Sequence, residues 1–233
     1  MKKFSQCLAL ALGLLAPIAA SAQAYPGKPV RLMVPFPPGG ATDIIARLLG
    51  TKMQELWGQP VVIESKPGAG TVVGTDYVAK SAPDGHTLGM VVTAHVINPS
   101  LRKDMPYDTL KDLAGVTQVS VQHLVMAAHP SLPANNIAEL VSLAKKEPGK
   151  LSYATPGSGT AMHLSVELLK TTAGIDIVHV PYKGGAPAQQ DVMSGRVPIL
   201  MDVLYAAQPL IKSGRVKVLA LLSPTRAPES PEY

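Results

Sequence analysis

Cysteine is almost missing from this sequence of 233 residues. Cys7 is the only one, so no intrachain disulfide can form and no cysteine cluster can hold a metal. Histidine is scarce as well, and no pair has a metal-ligand spacing such as H-E-x-x-H; His86, His95, His123, His129 and His179 are expected in structural or surface roles. Aromatic residues make up 4% and nowhere interleave with a basic stripe, which leaves nucleic-acid binding without support. Long apolar runs are limited to one, "CLALALGLLAPIAA", of about fourteen residues where a membrane span needs roughly 20.

That run follows Lys2 and Lys3 and precedes "SAQA", the pattern of a secretory signal cut after Ala22 or Ala24. Residues 1–24 are therefore expected to be removed, taking Cys7 with them, and the mature chain to be exported without spanning a membrane. The whole sequence is 46% hydrophobic and 16% charged, and what remains after the signal holds enough apolar material for one large domain or two modest ones held by their cores alone.

From Pro29 the chain alternates short β-branched runs with helical periods. "VRLMVPF" reads as a buried strand; Ile44, Ile45, Leu48, Leu49, Met53 and Leu56 then recur at helical spacing until Gly58 and Pro60. "PVVIES" and "HTLGMVV" are further strands, with "GTVVGTDYVAKS" a helix between them. "LAGVTQVSVQHLVMAAHP" reads as one long strand or two joined ones. The alternation then restarts: helix Ile137–Lys146, strand "LSYAT", helix 161–172, strand "DIVHVPY", helix 187–194, strand "RVPILMD", helix 206–212, strand "VKVLALLS". Strands separated by helices predict parallel pairing in an α/β fold, and two such units joined by an extended segment leave a cleft where ligands bind.

Three strand-to-helix loops stand out. "VPFPPGGATDIIARLL" (residues 34–49) places free helix-end amides and the helix dipole where an anion would sit. A phosphate loop would continue G-K-[ST], and Ala41, Thr42 and Asp43 stand there instead, so ATP chemistry is excluded. "PGAGTVVGT" lacks the third glycine of a dinucleotide fingerprint, having Val73 there, and reads as a turn leading to a close-packed helix at Gly74. "ATPGSGTAMH" repeats the logic of the first loop, with Ser158 and Thr160 adding hydroxyls; as a nucleophile elbow it fails, because Pro156 occupies a glycine position. An exported serine hydrolase using Ser158 and His163 is the alternative, although no acid can be assigned to orient the histidine, which reads as a loop brace. "VPYKGGAPAQ" offers Tyr182, Lys183 and Gly184 before a helix, and "ILMDV" leaves Asp202 at a strand end, to meet a ligand's amino or hydroxyl group or to cap the next helix. Charged hydrogen bonds contribute roughly 1.5 to 3 kcal/mol each, and micromolar binding needs about 8, so one loop does not suffice but two closing on one anion do.

Taken in order, "YPGKPVRLMVPFPPGGATDIIARLL", "VVIESKPGAGTVVGTDYVAKSAPDGHTLGM", "INPSL", "LSYATPGSGTAMHLSVELLK", "HVPYKGGAPAQQDVMSGRVPILMD" and "IKSGRVKVLALLS" resemble the Bug or TctC family, the periplasmic receptors of tripartite tricarboxylate transporters. The resemblance implies a two-lobed type II periplasmic binding protein, a Venus flytrap, that captures a small carboxylate: a di- or tricarboxylate, an acidic amino acid or a related organic acid. It implies ligand contacts from Pro38, Gly39, Gly40, Ala41, Thr42 and Asp43 in one lobe. From the other come Thr155, Gly157, Ser158, Gly159 and Thr160, with Tyr182, Lys183 and Gly184; Thr93 and Asp202 face the cleft by position. No catalysis, metal or cofactor is implied. The implied partners are the transporter's membrane components or, alternatively, a sensor kinase, for a monomer in the periplasm. Residues 25–123 with 218–233 are expected to form lobe 1, and 124–217 lobe 2. Val203 stands where the family usually has asparagine, and the chain ends at "PESPEY" where the family continues, which reads as a C-terminal truncation that leaves lobe 1 incomplete.

Overall fold

The computed structural model describes residues 24–228 and 230–232; the signal segment lies outside them, apart from Ala24. Three apolar strands, β1 (Val30–Val34), β2 (Val61–Ser65) and β3 (Thr87–Gly89), form a parallel sheet in the order β2-β1-β3, with Leu32 in register with Ile63 and Leu88. Helix α1 (Ala41–Trp57) crosses between β1 and β2 and buries Ala46 and Gly50 against the sheet. A Cβ on Gly50 would lie 2.8 Å from the tip of the Ile63 side chain, so a larger residue there would have to displace that side chain. The helix stops at Gly58, whose left-handed φ of 65° lets its N–H donate to the Gln54 carbonyl. Helix α2 (Val72–Ala79) follows a tight turn over Ala69–Thr71 and leads to β3.

A short helix after β3, α3 (Ala94–Leu101), was not legible in the sequence, where Pro99 and two β-branched residues argue against it. Burial of Asn98, whose side-chain N–H groups donate to the Gly70 carbonyl and the Thr71 hydroxyl, holds it against the preceding turn.

The second unit has five strands in the order β6-β5-β7-β4-β8: β4 (Leu124–Ala128), β5 (Ser152–Thr155), β6 (Val178–Pro181), β7 (Ile199–Val203) and β8 (Lys217–Leu222). Strands β6, β5 and β7 pair parallel, whereas β4 runs antiparallel to both β7 and β8. Helices α4 (Ile137–Lys146), α5 (Ala161–Ala173), α6 (Gly185–Met193) and α7 (Leu204–Lys212) connect them. Tyr153, Val166, Ile177, Ile199 and Met201 pack one face of this sheet and Val192, Val197, Leu200 and Val216 the other.

Two expectations need correction. The one long strand or two joined ones predicted over residues 113–130 are confined to β4; the residues before Leu124 are largely exposed and form no strand. The assignment of 218–233 to the first unit also fails. Strand β8 pairs with β4, Ala227 packs with Val125, Leu204 and Ala207, and the Ser230 hydroxyl accepts from Gln208, so this stretch belongs to the second unit. Among the described residues the chain passes between the units once, along the extended segment before β4.

Candidate functional site

A cavity of about 560 Å³ lies between the two units, within the size range of small-molecule sites. Five helix beginnings contribute to its wall: Gly40, Ala41 and Thr42 of α1, Thr93 and Ala94 of α3, Thr160, Ala161 and Met162 of α5, Gly185 of α6 and Val203 before α7. The first turns of α1, α3, α6 and α7 carry no side-chain cap from their N-cap residues. Amides in a first helical turn have no partner within the helix, and the helix dipoles add positive potential, so the cavity is electropositive through its backbone. None of the described residues lining it is lysine, arginine or histidine, and Asp202 is the one acidic residue among them. Phe36, Ile45, Met90, Val91, Val119, Leu124 and Met162 supply an apolar surround.

The first loop is braced from within. One oxygen of Asp43 accepts the Gly39 N–H at 2.9 Å and the Arg47 Nε–H at 2.8 Å, and the side chain is buried. Burial alone would raise its pKa, but these bonds outweigh it and hold the carboxyl below its usual range. Asp43 is thus an ionised strut that shapes the loop; it does not line the cavity, and neither do Pro38 and Gly39. Gly40, Ala41 and Thr42 do.

The second loop is braced similarly. The Thr160 hydroxyl donates to the Gly157 carbonyl at 2.8 Å and accepts the His163 N–H, capping α5. The Thr155 hydroxyl takes the Gly157 N–H at 3.2 Å and lies 2.7 Å from His179 Nε2. His163 Nδ1 accepts the Gly159 N–H, and its ring stacks on His179 at 4.1 Å between centroids. Burial, and then the neighbouring His163, push His179 down to about 4, so both rings are neutral near pH 7. His163 therefore holds the loop, and Ser158 is exposed, so the geometry assembles no serine–histidine pair. Of this loop only Pro156 and Thr160 reach the cavity; Thr155, Gly157, Ser158 and Gly159 do not line it. The third segment contributes Gly185 alone: the Tyr182 hydroxyl donates to Asp191, Lys183 is exposed, and Gly184 packs on Pro37.

Asp202 is buried at the cavity wall. Its Oδ2 accepts from Gln189 Nε2 and its Oδ1 from the Val203 N–H, both at 2.8 Å. It packs so closely on Gly185 that a Cβ there would meet a carboxylate oxygen at 3.0 Å. Burial pushes this carboxyl up to about 6, against the two bonds that favour its ionised form. Thr93, also anticipated, lines the cavity as the N-cap of α3.

The units touch around the cavity. The Tyr205 hydroxyl of α7 donates to the Ala41 carbonyl at the start of α1. A Cβ on Gly184 would come within 2.9 Å of Pro37, and one on Gly70 within 2.7 Å of the Ser158 carbonyl. The Gly70 contact belongs to a turn in which Ala69 and Thr71 also have positive φ, 47° and 84°. Sequence reasoning anticipated a turn here but missed its contact with the second unit, and it missed the wall formed by residues 117–122. The P-G-A-G run signalled a special backbone, but nothing local to it showed which surface it would meet.

A family model described as tripartite tricarboxylate transporter family receptor matches residues 45–232. A UPF0065 protein of Bordetella pertussis is 39% identical over 237 residues, an alignment covering 100% of this chain and 72% of that protein. Among solved structures, Rpa4515 of R. palustris, determined with adipate, superimposes with a TM-score of 0.84 at 36% identity, covering 87% of this chain and 68% of the other. MatC from Rhodopseudomonas palustris, with bound malate, also gives 0.84, at 31% identity, covering 89% and 71%.

Proposed function

The chain belongs to the TctC family of tripartite tricarboxylate transporter receptors and has the two-lobed fold of periplasmic binding proteins, and on that premise we propose that it captures a small carboxylate in the cavity between its units. The observation that carries this reading is the convergence of five helix beginnings, from both units, on a cavity whose described lining has no cationic side chain. Asp43, Thr155 and Thr160 brace the two loops from within, so the helix-end amides those loops present to the cavity are preorganised and bind an anion without the reorganisation cost that flexible lysines would incur. Two clamping loops giving two charged hydrogen bonds each supply roughly 6 to 12 kcal/mol before association costs, which spans the requirement for micromolar binding. The adipate and malate of the two R. palustris proteins are both carboxylates, and the apolar surround here suits a ligand with a hydrocarbon body. In this reading the chain works in the periplasm, performs no catalysis, and hands its ligand to the membrane components of a transporter.

The test is a thermal-shift and calorimetric panel of mono-, di- and tricarboxylates of increasing length against the purified chain. Saturable stabilisation by at least one acid, absent with the matching amide or alcohol, is expected. A panel in which no carboxylate raises the melting temperature overturns the proposal.

A further inference from the structure

The cavity wall poses a chemical problem for any anionic ligand, because the ionisable side chain it carries is an acid. Asp202 is 1% exposed, and two donors, Gln189 Nε2 and the Val203 N–H, occupy one lone pair on each oxygen. An ionised carboxylate only accepts hydrogen bonds, as does the carboxylate of a ligand. Two such groups enclosed together repel, and the pair is stable only when they share a proton. Among the described residues, no cationic side chain is hydrogen-bonded to Asp202. Strand β4 places Val125 opposite it, α6 presents Gly185 and Gln189, and α7 presents Tyr205, whose hydroxyl is turned to Ala41. His123, just before β4, accepts the Leu204 N–H through its backbone carbonyl. Across the cavity Asp43 is already committed to Arg47 and Gly39.

Resting on the carboxylate-receptor reading above, we infer that Asp202 is a ligand-binding residue that acts in its protonated form, so that the protein takes up one proton with each anion it captures. The proton sits on the Asp202 carboxyl, whose O–H then donates to the ligand, and the helix beginnings hold the ligand's remaining charge. No covalent bond forms or breaks. Burial already places the empty site's carboxyl at about 6, so solvent supplies this proton readily at neutral pH. A neutral Asn at this position would keep the acceptor for Val203 and remove the titration.

Calorimetry at pH 7 in two buffers of unequal ionisation enthalpy, such as PIPES and imidazole, counts the protons directly. The probes are adipate, malate and whichever acids of the panel stabilise the chain. The inference requires an uptake approaching one proton per ligand and an affinity that falls about tenfold per unit between pH 6.5 and 8.5. It also requires that Asp202→Asn abolish both effects and that His123→Asn preserve them. Binding with no proton uptake and a flat pH profile overturns the inference and leaves the carboxylate receptor standing. Uptake that survives Asp202→Asn or vanishes in His123→Asn also overturns it, and the unmodified chain decides alone if Asp202→Asn does not fold. A panel in which no acid binds overturns the receptor reading, and this inference with it.

Discussion

At the scale of single residues, Asp202 and Asp43 show how two acids at the ends of elements acquire opposite characters. Asp202 is held at about 6 rather than 3.8 because burial penalises its charge. Between those values the folded chain keeps a proton that the unfolded chain has lost, so this group's contribution to stability falls as pH rises through the window, and the cost persists above it. The shift corresponds to something on the order of 3 kcal/mol. Asp202→Asn is therefore expected to raise the melting temperature of the ligand-free protein at pH 8 and to change it much less at pH 4.5. Equal shifts at the two pH values would show that the carboxyl is not the titrating group. Asp43 has the reverse sign: its carboxyl is held low by Arg47 and Gly39, so its stabilisation is present at neutral pH and lost on acidification. Both residues were legible as candidates, Asp43 as an acid beside a glycine loop and Asp202 as an acid at a strand end. Which one faces the cavity was not, because that depends on whether a donor such as Arg47, four residues along the same helix, reaches the acid first.

At the scale of elements, the glycine loops were the most legible features, since a helix beginning after a strand's carboxyl end makes an anion site whatever surrounds it. Elements decided by their neighbours were not. Helix α3 forms through Asn98 and the Gly70 turn despite Pro99, and residues 113–123 form no strand despite their β-branched content, because β-propensity is realised only against a pairing neighbour. The same distinction separates two glycines of positive φ. Gly174 ends α5 at 62° with open space around it, so Gly174→Ala should cost about 1 kcal/mol of stability through backbone strain and leave binding unchanged. Gly184 has φ 144° and lies against Pro37 of the opposite unit. Gly184→Ala carries a larger strain, since this region is open essentially to glycine alone, and also a clash that acts only when the units meet. Ligand affinity should therefore fall by more than about tenfold, corresponding to about 1.4 kcal/mol or more. Calorimetric titration of both variants checks this, and equal affinities in the two would remove the clash argument.

At the scale of the molecule, the two units were legible as a repeated β/α alternation, and their cleft followed from the extended segment between them. The membership of β8 was not, because a strand's hydrophobicity specifies that it will be buried and leaves open in which sheet. With the described chain crossing between the units once, the contacts around the cavity govern how they are held together. Three of these are local: Tyr205 on Ala41, Gly184 on Pro37, and Gly70 beneath the Ser158 carbonyl. If binding shifts a population from open to closed, contacts made only in the closed form contribute to affinity and not to the stability of the empty protein. On that premise the Tyr205 hydroxyl, donating from the second unit to the backbone that begins α1, counts among them. A hydrogen bond of this kind contributes about 0.5 to 1.5 kcal/mol net, so Tyr205→Phe should weaken ligand binding about two- to twelvefold. The melting temperature of the ligand-free protein should stay within about a degree, since on the same premise the bond is absent from the open form. Paired measurement of affinity and ligand-free stability separates the cases: a loss of stability with affinity intact would mean that the units are joined permanently here, and that capture does not proceed by closure at this contact.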